Sequence, residues 1–168
     1  CAALQAVIDG DVTLAVLPWN ERADEWFHEM MDAPKSGLHI CFGLPFVRER
    51  PDDGTIAVAV GRVESEPTGA DRTTLLIADA SDTGRDGIEA TAREIGLTLL
   101  LCVGLGGEVS ARLWGGKTGP FWIIEIAGRP DPKAMDRIRG QFFTKKMSVF
   151  PFGAYAEPII LSEEQAAP

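Results

Sequence analysis

Apolar and polar positions change period several times along this chain, and each change marks an element. Residues 2–9 carry Leu4, Val7 and Ile8 at helical spacing, and Gly10 supplies the stop. Residues 12–17 are a β-branched, apolar run ended by Pro18, the pattern of a buried strand. The spacing of Ala23, Trp26, Phe27, Met30 and Met31 predicts a helix over 21–31, with Asn20 as its N-cap. Strands are predicted over 38–46 and 55–63, separated by a charged loop that holds Pro51-Asp52-Asp53-Gly54. The stretch 64–71, with Pro67 and Gly69, reads as a linker.

Beyond the linker the rhythm is clearer. A strand over 73–78 runs into a turn over 79–84 rich in capping side chains. A helix over 85–95 shows Ile88, Ala92 and Ile95 at i, i+4 and i+7. Strands follow over 97–105 and 121–127, with a Gly-rich excursion over 106–119 between them. Asp131-Pro132 opens a helix that reaches Phe142, cap first and proline at the first turn. A strand over 147–155, interrupted by Pro151, closes the series. The order βαββαβ predicts an α+β, ferredoxin-like domain over 72–160. Its four-stranded antiparallel sheet should carry both helices on one face. A smaller α/β segment over 1–66 precedes it.

Composition narrows the partners. The chain has 168 residues, 45% hydrophobic and 24% charged, enough to build a core without disulfides or metal. Its formal net charge of −9 opposes a phosphate backbone, so nucleic acid is not an expected partner. No apolar run approaches the roughly 20 residues that cross a bilayer, so no membrane association is expected. Three cysteines, Cys1, Cys41 and Cys102, are an odd number without metal-ligand spacing. They suit a reducing compartment, and a cytoplasmic location is the expectation. His28 and His39 lack the neighbours that a zinc site needs, so no metal or other cofactor is expected. The chain starts at Cys1 rather than Met, which reads as a processed or truncated start. An N-terminal Cys acting as a nucleophile is the alternative.

Several short segments carry a family likeness. The βαββαβ order with a loop-to-helix turn after its first strand resembles an ACT domain, a regulatory module that binds amino acids between copies. Asp71-Arg72-Thr73-Thr74-Leu75-Leu76 is similar to the opening strand of the ACT domain of prephenate dehydratases, and Phe152-Gly153-Ala154-Tyr155 to their closing Leu-Gly-Ser-Tyr. Residues 4–7 and 15–18 resemble the stretch that ends in Pro-Ile-Glu-Asn-Ser. Pro51-Asp52-Asp53-Gly54-Thr55 resembles the approach to the Thr-Arg-Phe motif.

The resemblance implies a small-molecule partner, either an amino acid or a prephenate-like acid, and a homodimer. It places Thr55 where the family's catalytic Thr lies. It aligns the Gly-Ala-Leu ligand turn with Gly84, flanked by Asp82, Thr83 and Arg85, where free helix amides would meet a carboxylate. The departures are equally specific. Ile56 and Ala57 stand in place of Arg and Phe, and Trp19-Asn20-Glu21-Arg22 follows Pro18. Only a short connection joins the strand over 38–46 to Thr55, where the family has a whole lobe. The Glu-Ser-Arg-Pro stretch has no counterpart over 103–106. A missing guanidinium matters because prephenate carries two carboxylates, and Arg is the natural bidentate clamp. The implied function is a regulatory amino-acid-binding module in phenylalanine biosynthesis, without catalysis of its own. An active prephenate dehydratase is the alternative.

Other residues invite functional readings that chemistry makes secondary. Glu21 as a general acid competes with its ordinary role in a first helical turn. Trp19, Trp26 and Phe27 as a pocket for an aromatic ring compete with a place in the core. Gly115-Gly116-Lys117-Thr118 lacks phosphate-loop spacing, and the 106–119 segment reads as an arm or an oligomer contact.

Overall fold

The structure is a computed structural model that describes residues 1–19, 24–30, 37–49, 54–105 and 121–161. Its elements are α1 (Ala2–Asp9), β1 (Leu14–Pro18), α2 (Asp24–Met30), β2 (His39–Leu44), β3 (Val47–Arg48), β4 (Ala57–Gly61), β5 (Asp71–Asp79), α3 (Gly84–Glu94), β6 (Leu99–Gly104), β7 (Phe121–Ala127), α4 (Pro132–Thr144), β8 (Met147–Ala156) and β9 (Ile159–Ile160). Local chemistry sets two helix ends as expected: Gly10 closes α1 at φ 84°, and the Asp131 side chain accepts from the Ala134 amide. The predicted N-cap Asn20, Glu21, the 50–53 loop and the 106–119 segment lie outside the described residues, as does the His28 side chain.

Strands β8-β5-β7-β6 lie in that order, all antiparallel to their neighbours. Each βαβ unit leaves room for one strand of the other, the split βαβ arrangement. Helices α3 and α4 cover one face through Ile88, Ala92, Ile138 and Phe142, which meet Leu75, Ile77, Ile124, Ile126 and Val149. The ferredoxin-like reading therefore holds, with one addition. The sheet does not stop at four strands. β2 joins β8 in parallel at Ile40↔Gly153, and β4 and β1 continue outward to give the order β1-β4-β2-β8-β5-β7-β6.

Alternation along the strands sends the other side chains into a second core on the opposite face. Leu76, Ala78, Phe121, Ile123, Phe152 and Tyr155 meet Ala15, Leu17, Val58, Val60 and Ile40, and α1 and α2 cover them with Leu4, Val7, Trp26 and Phe27. Trp19, Trp26 and Phe27 are core residues: Phe27 meets Phe152 edge-on at 4.9 Å, and the Trp26 indole donates to the Pro18 carbonyl at 2.8 Å. Among the described residues, the helix layer of α3 and α4 has no counterpart over that face of β1-β4-β2. There Val16 and Phe42, both opposite Ala59, remain exposed, Val16 to 60%.

Two joints fix the halves together. Gly153 has φ 143°, and a Cβ there would collide with the Ile40 backbone. Glycine thus permits the contact that makes one sheet of two. The 62–70 connection is tied down by Arg129, which donates to the Ser65 carbonyl at 2.5 Å and to the Ser65 hydroxyl at 2.7 Å.

Candidate functional site

Thr55 is 5% exposed and lies just before β4. Its hydroxyl accepts from Arg48 Nη2 at 2.7 Å and is hydrogen-bonded to the Tyr155 phenol. Tyr155 in turn donates to Glu125 Oε1, and Arg72 Nη1 stands 3.6 Å from Glu125 Oε2. Period-two alternation explains the gathering. Glu125 follows Phe121 and Ile123 on one face of β7, and Arg72 pairs with Tyr155 across β5 and β8. A run of Arg, Thr, Tyr, Glu and Arg thus crosses the interior. Arg48 is the unexpected member. It brings a guanidinium to Thr55 from seven residues upstream, although Ile56 occupies the expected Arg position.

Burial dominates the electrostatics of this run. Desolvation raises the Glu125 carboxyl above the ordinary range, against the opposing effects of the Tyr155 hydrogen bond and the Arg72 and Arg48 charges. Desolvation, then the Glu125 charge, pushes the Tyr155 phenol well above its usual range. The groups are linked in one run, which Arg72 extends outward to Glu157, its Nε 3.5 Å from Oε1.

The turn over 82–85 lies at the other end of β5, roughly 23 Å from Arg72 at about 3.3 Å per residue. The structure therefore does not bring Thr55 together with Asp82, Thr83, Gly84 and Arg85. Asp82 has φ 54°, and Arg85 pairs with Glu89 at 2.6 Å on the surface. The Gly84 amide and Thr83 hydroxyl both donate to Asp79 Oδ2 at 3.0 Å, while the Ser81 amide and hydroxyl donate to Oδ1. Asp79, buried at 1% exposure, already occupies these donors. Burial alone would raise its carboxyl, but the hydrogen bonds from Ser81, Gly84 and Thr83 outweigh it and hold the group below the ordinary range.

A third feature opens where β2 and β8 diverge. A cleft of about 280 Å³ is lined by His39, Glu64, Ser65, Thr73, Arg129 and the apolar Ile40, Pro130 and Pro151, among others. Residue-type patterns did not single out Arg48, Arg72, Glu125, Tyr155 or Arg129. One signal was available: Glu125 is the sole charge inside the apolar strand Phe121–Ala127. The two internal thiols point away from reactivity. Cys41 and Cys102 are buried, and desolvation raises both, Cys102 to about 11. Among the described residues no group of His, Cys, Asp and Glu side chains could hold a metal ion. No helix among them is long and apolar enough to cross a membrane.

Comparison with solved structures defines the fold class. A prephenate dehydratase from Streptococcus mutans superposes with a TM-score of 0.60 at 11% identity, over 92% of this chain and 79% of that one. A prephenate dehydratase from Arthrobacter aurescens, solved in complex with L-Phe, gives 0.56 at 15% identity, over 98% and 83%. A protein described as a novel type of quorum quenching acylase gives 0.56 at 18% identity, over 98% and 81%. No protein-family model and no curated protein matches the sequence. This chain has the fold of prephenate dehydratase structures. That fold accommodates more than one activity, so function rests on the site.

Proposed function

We propose that this chain is a regulatory amino-acid-binding module of prephenate dehydratase lineage, with an ACT-type domain over 72–160, and that it does not catalyse prephenate conversion. The observation that carries the reading is the enclosure of Thr55. A hydroxyl that must protonate a leaving group has to meet substrate, and this one is buried and engaged by Arg48 and Tyr155. The fold likeness to prephenate dehydratases, one of them solved with L-Phe, supports the lineage and the ligand class. The assembly belonging to this reading is a homodimer, and the compartment is the cytoplasm. The test mixes purified protein with prephenate at neutral pH and follows phenylpyruvate, while calorimetry follows L-phenylalanine. The expected result is no turnover above the solution rate together with measurable binding. Turnover would overturn the non-catalytic reading.

A second reading rests on Arg48. Its guanidinium at Thr55 supplies the cation missing at position 56, and an opening of this region would present Thr and Arg together to a carboxylated substrate. Under it, prephenate is converted and Thr55→Val abolishes the turnover.

A further inference from the structure

The regulatory reading requires a place for the amino acid, and at the turn after Asp82 the Gly84 amide and Thr83 hydroxyl already donate to the Asp79 carboxylate. The β2–β8 cleft has the chemistry that the turn has already spent. We propose that this cleft binds a free α-amino acid, its carboxylate against Arg129, its ammonium against Glu64, and its side chain on Pro130 and Pro151. The inference rests on the regulatory reading above and names the site of that ligand.

Four observations carry it. First, the cleft is a product of the fold: the two half-sheets meet at Ile40↔Gly153 and part beside it, and the lining comes from β2, β5, β8 and both flanking connections. At about 280 Å³ it falls just below the range of about 300–1,000 Å³ taken by drug-sized ligands, which suits an amino acid. Second, Arg129 is held in place before any ligand arrives. Its Nη1 donates to the Ser65 carbonyl, and its Nη2 to the Ser65 hydroxyl and, at 3.4 Å, to the Ala154 carbonyl. A guanidinium has five N–H donors, and these contacts engage three. Nε is buried, and Nη2 already lies 3.8 Å from the buried Asp71 carboxylate. The second Nη1 N–H is not used by these contacts and the side chain is 24% exposed, so a ligand carboxylate can still be attracted there, with less side-chain entropy to lose.

Third, opposite charges share the cleft without being paired to each other. Glu64 is 78% exposed at the side chain and, among the described residues, pairs only with the His39 imidazole, at 3.7 Å. A zwitterion offers an ammonium to Glu64 and a carboxylate to Arg129, whereas a simple anion would be repelled by Glu64 and a simple cation by Arg129. Fourth, the half-buried Pro130 and Pro151 offer an apolar floor with no N–H donors of their own, which suits an apolar side chain.

The probe is L-phenylalanine, titrated calorimetrically into the full chain, with 3-phenylpropionate as an analogue that lacks the ammonium. The wild type should bind L-phenylalanine, and Glu64→Gln should weaken it by on the order of tenfold. Glu64→Gln should leave 3-phenylpropionate unchanged or slightly tighter. Arg129→Lys should weaken both. Because Arg129 also ties down the connection at Ser65, its variant is read only if its circular dichroism and Tm match a folded chain. The exposed Glu64 keeps the proposal falsifiable if it does not. Wild-type binding that ignores Glu64→Gln but is lost in Gly84→Val would overturn the cleft and leave the regulatory reading standing, with the ligand at the turn. No binding by the wild type would overturn the regulatory reading itself.

Discussion

Asp79 and Glu125 are both buried carboxylates, 1% and 2% exposed, on adjacent strands of one sheet, and their surroundings move them in opposite directions. Asp79 sits at a strand end, where a turn folds two backbone amides and two hydroxyls around it. These donors favour the charged form strongly enough to overcome burial. Glu125 sits in mid-strand, where the backbone amides are spent on the ladder. It has only a phenol and guanidinium groups, and desolvation prevails. The lesson is that burial alone does not set a carboxyl's charge: the supply of unspent donors does, and turns have them while strand interiors do not.

The largest expected effect breaks the Glu125 side of this contrast. Arg72→Met strips a buried carboxylate of a cation, which costs about 3 kcal/mol near neutral pH. The sign with pH follows from the raised carboxyl. The folded chain keeps a proton that the unfolded chain has released, so stability falls as pH climbs from the ordinary carboxylate range through the folded value. Removing Arg72 extends that window upward, so the deficit should shrink on acidification. Urea unfolding at pH 5 and pH 8 would show it, and adding Glu125→Gln should flatten the difference.

Asp79→Asn should cost about 2 kcal/mol at pH 7, because charge-assisted bonds are replaced by neutral ones and an amide NH₂ faces donors. Here the sign reverses. Asp79's stabilisation is present above the ordinary aspartate range and lost as pH falls through its lowered folded value. The wild type and variant should therefore converge in acid, where those two buried carboxylates would otherwise part company. A gap that stays unchanged as pH falls far below the ordinary aspartate range would remove the electrostatic account of the turn.

Thr55→Val should cost about 1–2 kcal/mol by withdrawing the acceptor of Arg48 and the partner of Tyr155. Thermal unfolding measures that cost, and the same variant separates the two functional readings in the prephenate assay. The smallest effect is expected at Arg85. Its bond to Glu89 joins side chains that water screens, so Arg85→Ala should leave the thermal midpoint within experimental scatter.

The sequence by itself determined the elements and the fold of the second half. Local rules were enough there: alternation in Phe121–Ala127, the helical period of Ile88 and Ala92, and the Asp131-Pro132 cap each act within a few residues. The capping character of the turn after β5 was legible for the same reason, since Asp79, Ser81 and Thr83 lie within five residues. Which carboxylate those donors would hold was a matter of side-chain geometry. Only the tertiary structure decided that Arg48, Thr55, Arg72, Glu125 and Tyr155 form one network, because their separations run to more than a hundred residues and no local propensity links them. It also decided that β2 would join β8. That pairing depends on the backbone approach that Gly153 permits, and a sequence pattern read one strand at a time contains no term for the neighbour it will meet.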